Sequence, residues 1–215
     1  MDMPKPGYFE HDADRVWWHD FVEIVENLLR ISGVDPKQIL GLGTSAIGSW
    51  VLPIDEAGQP LRPAILYGID TRTTQEIEYL EKTLGREEIF QHSGMHLSSQ
   101  ASGPKIMWIK NHEPEVFQKT RWFLTSQAYL VYRLTGEATI DIYTANGYAP
   151  LFDVHNLGWR EEIASYITPI DRLPKAFWSC EIAGRVTEQA ARETGLASGT
   201  PVIVGTTDAA AEAIS

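Results

Sequence analysis

The chain alternates short apolar runs, bounded by glycine or proline, with segments in which apolar residues recur at helical spacing. Over residues 12–32 the apolar side chains form one helical stripe, which Gly33 and Pro36 close. This stripe predicts an amphipathic helix that faces the core. The same signals predict helices over 74–84, 105–111, 128–134, 159–167 and 187–194, and strands over 38–45, 50–54, 61–67, 121–125, 138–142, 181–186 and 201–205. Strands and helices that alternate in this way indicate an α/β fold with parallel strand pairing.

The last predicted strand leads to a carboxylate. The apolar run over 201–205 passes through two threonines to Asp208, and an alanine-rich helix former follows. In open α/β sheets ligands bind at the carboxyl ends of the strands, and the amino end of a helix there favours phosphate. We therefore expect Asp208 to accept a proton from a substrate hydroxyl, and Gly205, Thr206 and Thr207 to contact a phosphate-bearing cofactor. The alternative is that Asp208 only caps the helix, which is a common role for aspartate.

A second candidate pair follows another apolar run. Asp70 and Arg72 are two residues apart, so in extended backbone both side chains point to the same side. A carboxylate accepts hydrogen bonds and a guanidinium donates them in a fixed fork, so such a pair can hold a polyhydroxy ligand. The alternative, which spacing alone favours, is a structural salt bridge at a strand end.

Composition narrows the class of partner. The chain has 215 residues, of which 43% are hydrophobic, enough for one domain with a sizeable core. A net charge of -11 argues against nucleic acid or an anionic membrane as partner, since both attract basic surfaces. No apolar run is long enough to span a bilayer, the N-terminus lacks the apolar core of a signal peptide, and the single cysteine, Cys180, excludes an internal disulfide. We expect a cytoplasmic protein that binds a small molecule.

Several catalytic motifs are absent from the sequence. The six histidines form no HExxH motif, so we expect no zinc or other metal held by the protein alone. No GxSxG motif is present, which argues against a serine hydrolase. The glycine-rich run over 41–48 matches neither GxxxxGK[ST] nor GxGxxG.

A series of short motifs resembles the FGGY family of carbohydrate kinases over nearly the whole chain. Each motif is weak alone, and their number and order carry the resemblance. In chain order they are PGYFE at 6–10 with Trp17 and Trp18, the glycine-rich run at 41–48, DEAGQPL at 55–61, ILYGIDTR at 65–72, Pro104-Lys105 with Trp108, RLTG at 133–136, LFD at 151–153 with Trp159, and GTPVIVGTTDAA at 199–210.

The resemblance implies a ribonuclease H-like fold of the actin and hexokinase kind. It also implies transfer of the terminal phosphoryl group of ATP, with Mg²⁺, to a sugar or polyol hydroxyl, as in xylulose kinases. By position, Asp208 matches the catalytic base, and Asp70 and Arg72 match positions near the sugar. Ser45 and Ala46 fall where many members have polar sugar contacts, so we expect them to line the substrate site. Because these two side chains are small, xylulose, gluconate, glycerol and related polyols all stay open as substrates.

The resemblance further implies an incomplete domain. Residues 1–215 would form the sugar-binding N-terminal domain without its first strands and without the C-terminal domain that supplies most of the nucleotide site. Such a chain is expected to need that domain as partner and to be inactive alone. Missing strands would leave an unpaired sheet edge, so we also expect a homo-oligomer or poor solubility. The alternative function is a non-catalytic fragment of a truncated or split kinase gene that binds a sugar or a partner protein. A structural relative of the actin fold without kinase activity is a further alternative.

Overall fold

Ten helices and twelve short strands form the part of the chain that the computed structural model describes, residues 1–214 with the side chains of 1–213. The helices are α1 (His19–Ser32), α2 (Thr74–Leu84), α3 (Arg86–Ser93), α4 (Ser102–His112), α5 (Pro114–Lys119), α6 (Ser126–Thr135), α7 (Ile142–Asn146), α8 (Glu161–Ala164), α9 (Glu188–Thr194) and α10 (Asp208–Ile214). The strands are β1 (Glu10–His11), β2 (Ser45–Ala46), β3 (Leu52–Ile54), β4 (Ala64–Ile65), β5 (Trp122–Leu124), β6 (Thr139–Asp141), β7 (Phe152–Asp153), β8 (Gly158–Trp159), β9 (Lys175–Phe177), β10 (Ile182–Arg185), β11 (Pro201–Ile203) and β12 (Thr206–Thr207). Shorter helical turns lie at Ala13–Trp18, Pro36–Gln38 and Ile170–Arg172.

Strand pairing is mixed. β2 pairs with β12 and β6 with β9 in parallel, whereas β1–β4, β3–β5, β7–β8 and β10–β11 are antiparallel. The α/β class is therefore confirmed, but the expectation of parallel pairing is wrong for most of the described strand pairs. Tight turns explain part of the difference. Only residues 154–157 connect β7 to β8, and a connection this short can join only antiparallel neighbours.

The predicted helices agree best with the structure where capping residues define their ends. The hydroxyls of Thr125 and Thr187 accept the N–H of Ala128 (3.3 Å) and Ala190 (3.1 Å) at the starts of α6 and α9. Left-handed glycines end α1, α6 and α9, at Gly33, Gly136 and Gly195. Helix α3 was not predicted, and the helix predicted over 159–167 is regular only over the four residues of α8.

Two apolar clusters fill the interior. One packs α4 against β5 and α7, and the other packs α6 against β3 and β11. Within the first, the buried Tyr148 hydroxyl donates to Phe123 O (2.8 Å), and burial raises the pKa of Tyr148. None of the described helices combines the length and apolar character that a membrane crossing requires.

Part of α1 faces the core as predicted, since Phe21 and Val25 pack against the second cluster, but another part of its apolar stripe is exposed. No residue of this helix is fully buried, and Ile24, Leu28 and Ile31 are 58%, 62% and 75% exposed. Ile24 also lines an apolar groove of about 460 Å³ together with Ile47, which is 51% exposed. We call these four residues the open apolar face. It lies beside β2, whose one partner strand within the described residues is β12. The periodicity correctly predicts the apolar stripe of α1, but it does not predict that part of this stripe is exposed.

Candidate functional site

A cavity of about 310 Å³ opens beside Asp208. It lies where β12 and β6 end and α10 and α7 begin, the edge at which ligands bind in α/β sheets. Small-molecule sites occupy roughly 300–1,000 Å³, so the cavity has room for one small ligand. Its lining residues are Gly48, Ser49, Tyr67, Met95, Gln100, Tyr143, Thr144, Asn146, Gly147, Thr207, Asp208 and Ala209.

A close contact between two strands fixes the backbone that leads to Asp208. Gly205 has a φ of +72°, and a Cβ at this position would lie 2.2 Å from Thr44 O. Glycine is therefore required here for both conformation and space. The N–H of Gly205 donates to Ser179 O (3.0 Å), and the N–H of Thr206 donates to Thr44 O (3.3 Å). Neither backbone N–H is therefore free to bind a phosphate. The expected contact of Gly205 and Thr206 with a cofactor cannot use these N–H groups.

Asp208 is the half-buried first residue of α10. Its Oδ1 accepts the N–H of the next residue, Ala209, at 2.9 Å. A capping aspartate instead accepts an N–H two or three residues further on. The side chain lines the cavity and does not make the bond of a simple cap.

The walls next to Asp208 carry buried oxygens that have no hydrogen-bond partner within the described protein. These are Thr144 Oγ1, Asn146 Oδ1 and Thr207 Oγ1, and the two threonines are only 2% and 4% exposed. Unpaired buried oxygens also occur away from this cavity, for example at Thr73 Oγ1 and Thr168 Oγ1, so these three make the wall polar without identifying a ligand. Asp141 joins the two walls: its Oδ2 accepts both the N–H of Thr144 (3.1 Å) and the hydroxyl of Thr206 (3.0 Å).

Asp70 and Arg72 form a closed ion pair away from this cavity. Both side chains are 0% exposed, Arg72 Nη2 lies 2.8 Å from Asp70 Oδ2, and Arg72 Nη1 donates to Glu10 Oε1 at 2.9 Å. The guanidinium lies 4.2 Å and 4.9 Å from the ring centres of Tyr8 and Trp108. Neither residue lines the cavity beside Asp208. The structure therefore corrects the expected sugar contact and favours the alternative, a structural ion pair.

Ser45 and Ala46 also lie outside the lining of this cavity. They form β2, pair with Thr206 and Thr207, and line the apolar groove of about 460 Å³ instead. Because the strand continues through these positions, it is the following loop, at Gly48 and Ser49, that reaches the cavity. We expected Ser45 and Ala46 to line the substrate site. The residues that line this cavity are instead Gly48 and Ser49, three positions further along the chain.

One group of possible metal ligands is present among the described residues. His19, Asp20 and Glu23 each offer an atom, all within 4.8 Å of one another, on the exposed start of α1. Exposed acidic groups of this kind are common without a metal, and none of the three lines the cavity beside Asp208.

The sequence analysis missed Tyr143 and Asn146 as lining residues. Both follow β6, a strand that was predicted, so the rule that led to Asp208 also applies to them. Gln100, which lines the cavity as well, lies in an irregular loop.

All of residues 1–215 match the model of the FGGY family of carbohydrate kinases, N-terminal domain. The chain belongs to this family. As an FGGY domain it is 30% identical over 203 residues to the xylulose kinase of Staphylococcus xylosus, covering 94% of this chain and 41% of that protein. It is 31% identical over 213 residues to the probable L-xylulose kinase of Pasteurella multocida, covering 98% of this chain and 44% of that protein. The chain thus spans less than half the length of these relatives.

Solved FGGY structures confirm the expected fold. The xylulose kinase of Rhodospirillum rubrum matches with a TM-score of 0.93 and 27% identity, over 100% of this chain and 43% of that one. The gluconate kinase of Lactobacillus acidophilus matches with a TM-score of 0.85 and 22% identity, over 97% of this chain and 41% of that one, and shows the fold alone. The domain is therefore part of the ribonuclease H-like fold of the actin and hexokinase kind.

Proposed function

We propose that this chain supplies the sugar side of an ATP-dependent carbohydrate kinase, with Asp208 as the base. The carrying observation is that Asp208 lines a cavity of about 310 Å³ where β6 and β12 end. Phosphoryl transfer depends mainly on positioning and on charge neutralisation, and a carboxylate orients the attacking hydroxyl and takes its proton. The position of Asp208 at the start of α10, with its side chain on the cavity wall, supports this role.

The lining favours a neutral sugar or polyol. Apart from Asp208, every described lining residue is uncharged, and none is basic. A sugar acid or sugar phosphate would bring a negative charge next to Asp208 with no cation to neutralise it. Threonine, asparagine, glutamine and tyrosine side chains both donate and accept, which suits several hydroxyl groups. We infer a xylulose-like pentulose or a related polyol as the acceptor, rather than gluconate.

The family implies ATP and Mg²⁺ as cofactors. When bound, they supply the phosphoryl group and neutralise its charge. Of the residues predicted to contact the cofactor, Thr207 alone keeps an unpaired hydroxyl, because the Thr206 hydroxyl donates to Asp141 Oδ2 and Gly205 has none. The described residues fit the acceptor better than the nucleotide. We therefore propose a further kinase domain as the partner that binds ATP.

Self-association is a separate proposal. The open apolar face exposes Ile24, Leu28, Ile31 and Ile47 next to a strand with one described neighbour. Unpaired strand edges beside apolar surface bind other chains. A monomer at micromolar concentration in multi-angle light scattering would contradict this proposal.

The test of the sugar site is titration calorimetry. The purified chain is titrated with D-xylulose, L-xylulose, glycerol and D-gluconate, and compared with Asp208→Ala. A hydrogen bond to a charged group contributes about 1.5–3 kcal/mol, so we expect Asp208→Ala to weaken binding of the preferred ligand at least tenfold. Glu188→Gln is the matched control, because Glu188 is an exposed acid in the first turn of α9.

The outcomes are distinct. Binding of a neutral sugar or polyol that needs Asp208 but not Glu188 supports the proposal. If none of the four ligands binds, or if Asp208→Ala binds as well as the unaltered chain, the proposal fails. Binding with no phosphoryl transfer after addition of a kinase nucleotide domain favours the non-catalytic alternative.

A further inference from the structure

A fully buried lysine lies behind the cavity wall. Lys105, on α4, is 0% exposed. Its Nζ donates to two backbone carbonyls, Ser99 O at 2.5 Å and Ala101 O at 3.0 Å. Lysine is almost never fully buried, because removing its amino group from water is costly. Its burial therefore needs the specific bonds that it makes with this loop.

The same loop is bonded to a second part of the cavity wall. The N–H of Gly68 donates to Ser99 O at 3.1 Å, and the Ser99 hydroxyl donates back to Gly68 O. Ser99 O thus accepts both Lys105 and Gly68. Tyr67 and Gln100, the residues next to these two bonded positions in the sequence, both line the cavity.

We propose that Lys105 is a positioning residue: its amino group fixes the loop at Ser99 and thereby holds Gln100 and Tyr67 in place on the wall of the sugar cavity. The part of this proposal that concerns sugar affinity rests on the proposed function. The part that concerns the loop rests only on the hydrogen bonds of Lys105, Ser99 and Gly68.

The charge of Lys105 changes near neutral pH. Burial lowers the pKa of Lys105 to about 7, while the nearby Asp70 carboxylate raises it and the Arg72 guanidinium lowers it. Asp70 and Arg72 lie in the segment after β4, and they are the charged groups that shift the pKa of Lys105. A charged ammonium group donates stronger hydrogen bonds than a neutral amine. The loop is therefore held more tightly below pH 7 than above it.

The experiment measures amide hydrogen exchange by NMR in the chain and in Lys105→Met. We expect the Gly68 amide to exchange about tenfold faster in Lys105→Met, since one bond that orders its acceptor is lost. Lys110→Met is the matched control. Lys110 is on the same helix and donates to two carbonyls, Ser165 O and Tyr166 O, both at 3.1 Å, but it does not line the cavity beside Asp208. Its replacement leaves Gly68 exchange unchanged.

Two further measurements separate positioning from general stability. In the unaltered chain, Gly68 protection corrected for intrinsic exchange falls as the pH rises through about 7, and this dependence disappears in Lys105→Met. The affinity for whichever sugar binds falls about fivefold or more in Lys105→Met, while stability towards urea does not fall in parallel.

Unchanged Gly68 exchange in Lys105→Met overturns the proposal, whatever the sugar result. If Lys105→Met does not fold, the pH series on the unaltered chain decides, and Gly68 protection that stays constant from roughly pH 6 to 11, a range that includes the ordinary lysine pKa, overturns the proposal. If no sugar binds the unaltered chain, the proposed function fails, whereas the exchange result still tests the loop. If the loop loosens and affinity does not change, the claim about the cavity wall is wrong.

Discussion

Replacing Gly205 with alanine tests whether the approach to Asp208 depends on one close contact. The left-handed conformation costs a residue with a Cβ about 1–2 kcal/mol. The new Cβ would also lie 2.2 Å from Thr44 O, a backbone atom that cannot rotate away. Overpacking of this kind costs about 1–3 kcal/mol. We therefore expect Gly205→Ala to lower the free energy of unfolding by about 2–5 kcal/mol.

Gly33→Ala isolates the first contribution, the cost of the left-handed conformation. Gly33 has a φ of +64°, but a Cβ there meets no atom within 4 Å. Its replacement is expected to cost only the conformational part, about 1–2 kcal/mol. Urea unfolding, followed by tryptophan fluorescence and circular dichroism, gives both values. Equal losses for the two variants would refute the reasoning, because the clash with Thr44 would then contribute nothing. Since Gly205 is three residues before Asp208, the same variant should also weaken sugar binding, whereas Gly33→Ala should not.

Three other changes follow from described contacts. Arg72→Met leaves the buried Asp70 without its ion-pair partner, while Glu10 keeps Arg62, so we expect a loss of about 3–5 kcal/mol in urea unfolding. Thr187→Ala removes the cap of α9 and should cost about 1 kcal/mol, whereas Thr73→Ala, at a cap position without a side-chain bond, should cost less. Because burial raises the pKa of Tyr148 above its unfolded value near 10, its contribution to stability is present below that pH and is lost as the pH rises beyond it. Tyr148→Phe should therefore lose less stability than the unaltered chain between roughly pH 9 and 11 in thermal melts, and an equal loss would contradict the assignment.

Local signals predicted more of the fold than of the site. Glycine stops and threonine caps fixed the ends of α6 and α9, because these signals act within a few residues. Spacing could not separate a ligand pair from an ion pair at Asp70 and Arg72. The deciding contacts come from Tyr8 and Trp108, which are distant in the sequence. Asp208 could be predicted to lie at the cavity because a strand end precedes it. Spacing along the chain does not predict Gln100 on the cavity wall, because only tertiary packing brings its loop there.

Asp141 gives the cavity a property that no single wall residue has. One carboxylate oxygen holds both the hydroxyl that precedes the Asp208 segment and the amide at the start of α7. The start of α7 and the segment that leads to Asp208 are therefore linked through one atom. Displacing either segment alone has to break a hydrogen bond to a charged group, at a cost of about 1.5–3 kcal/mol.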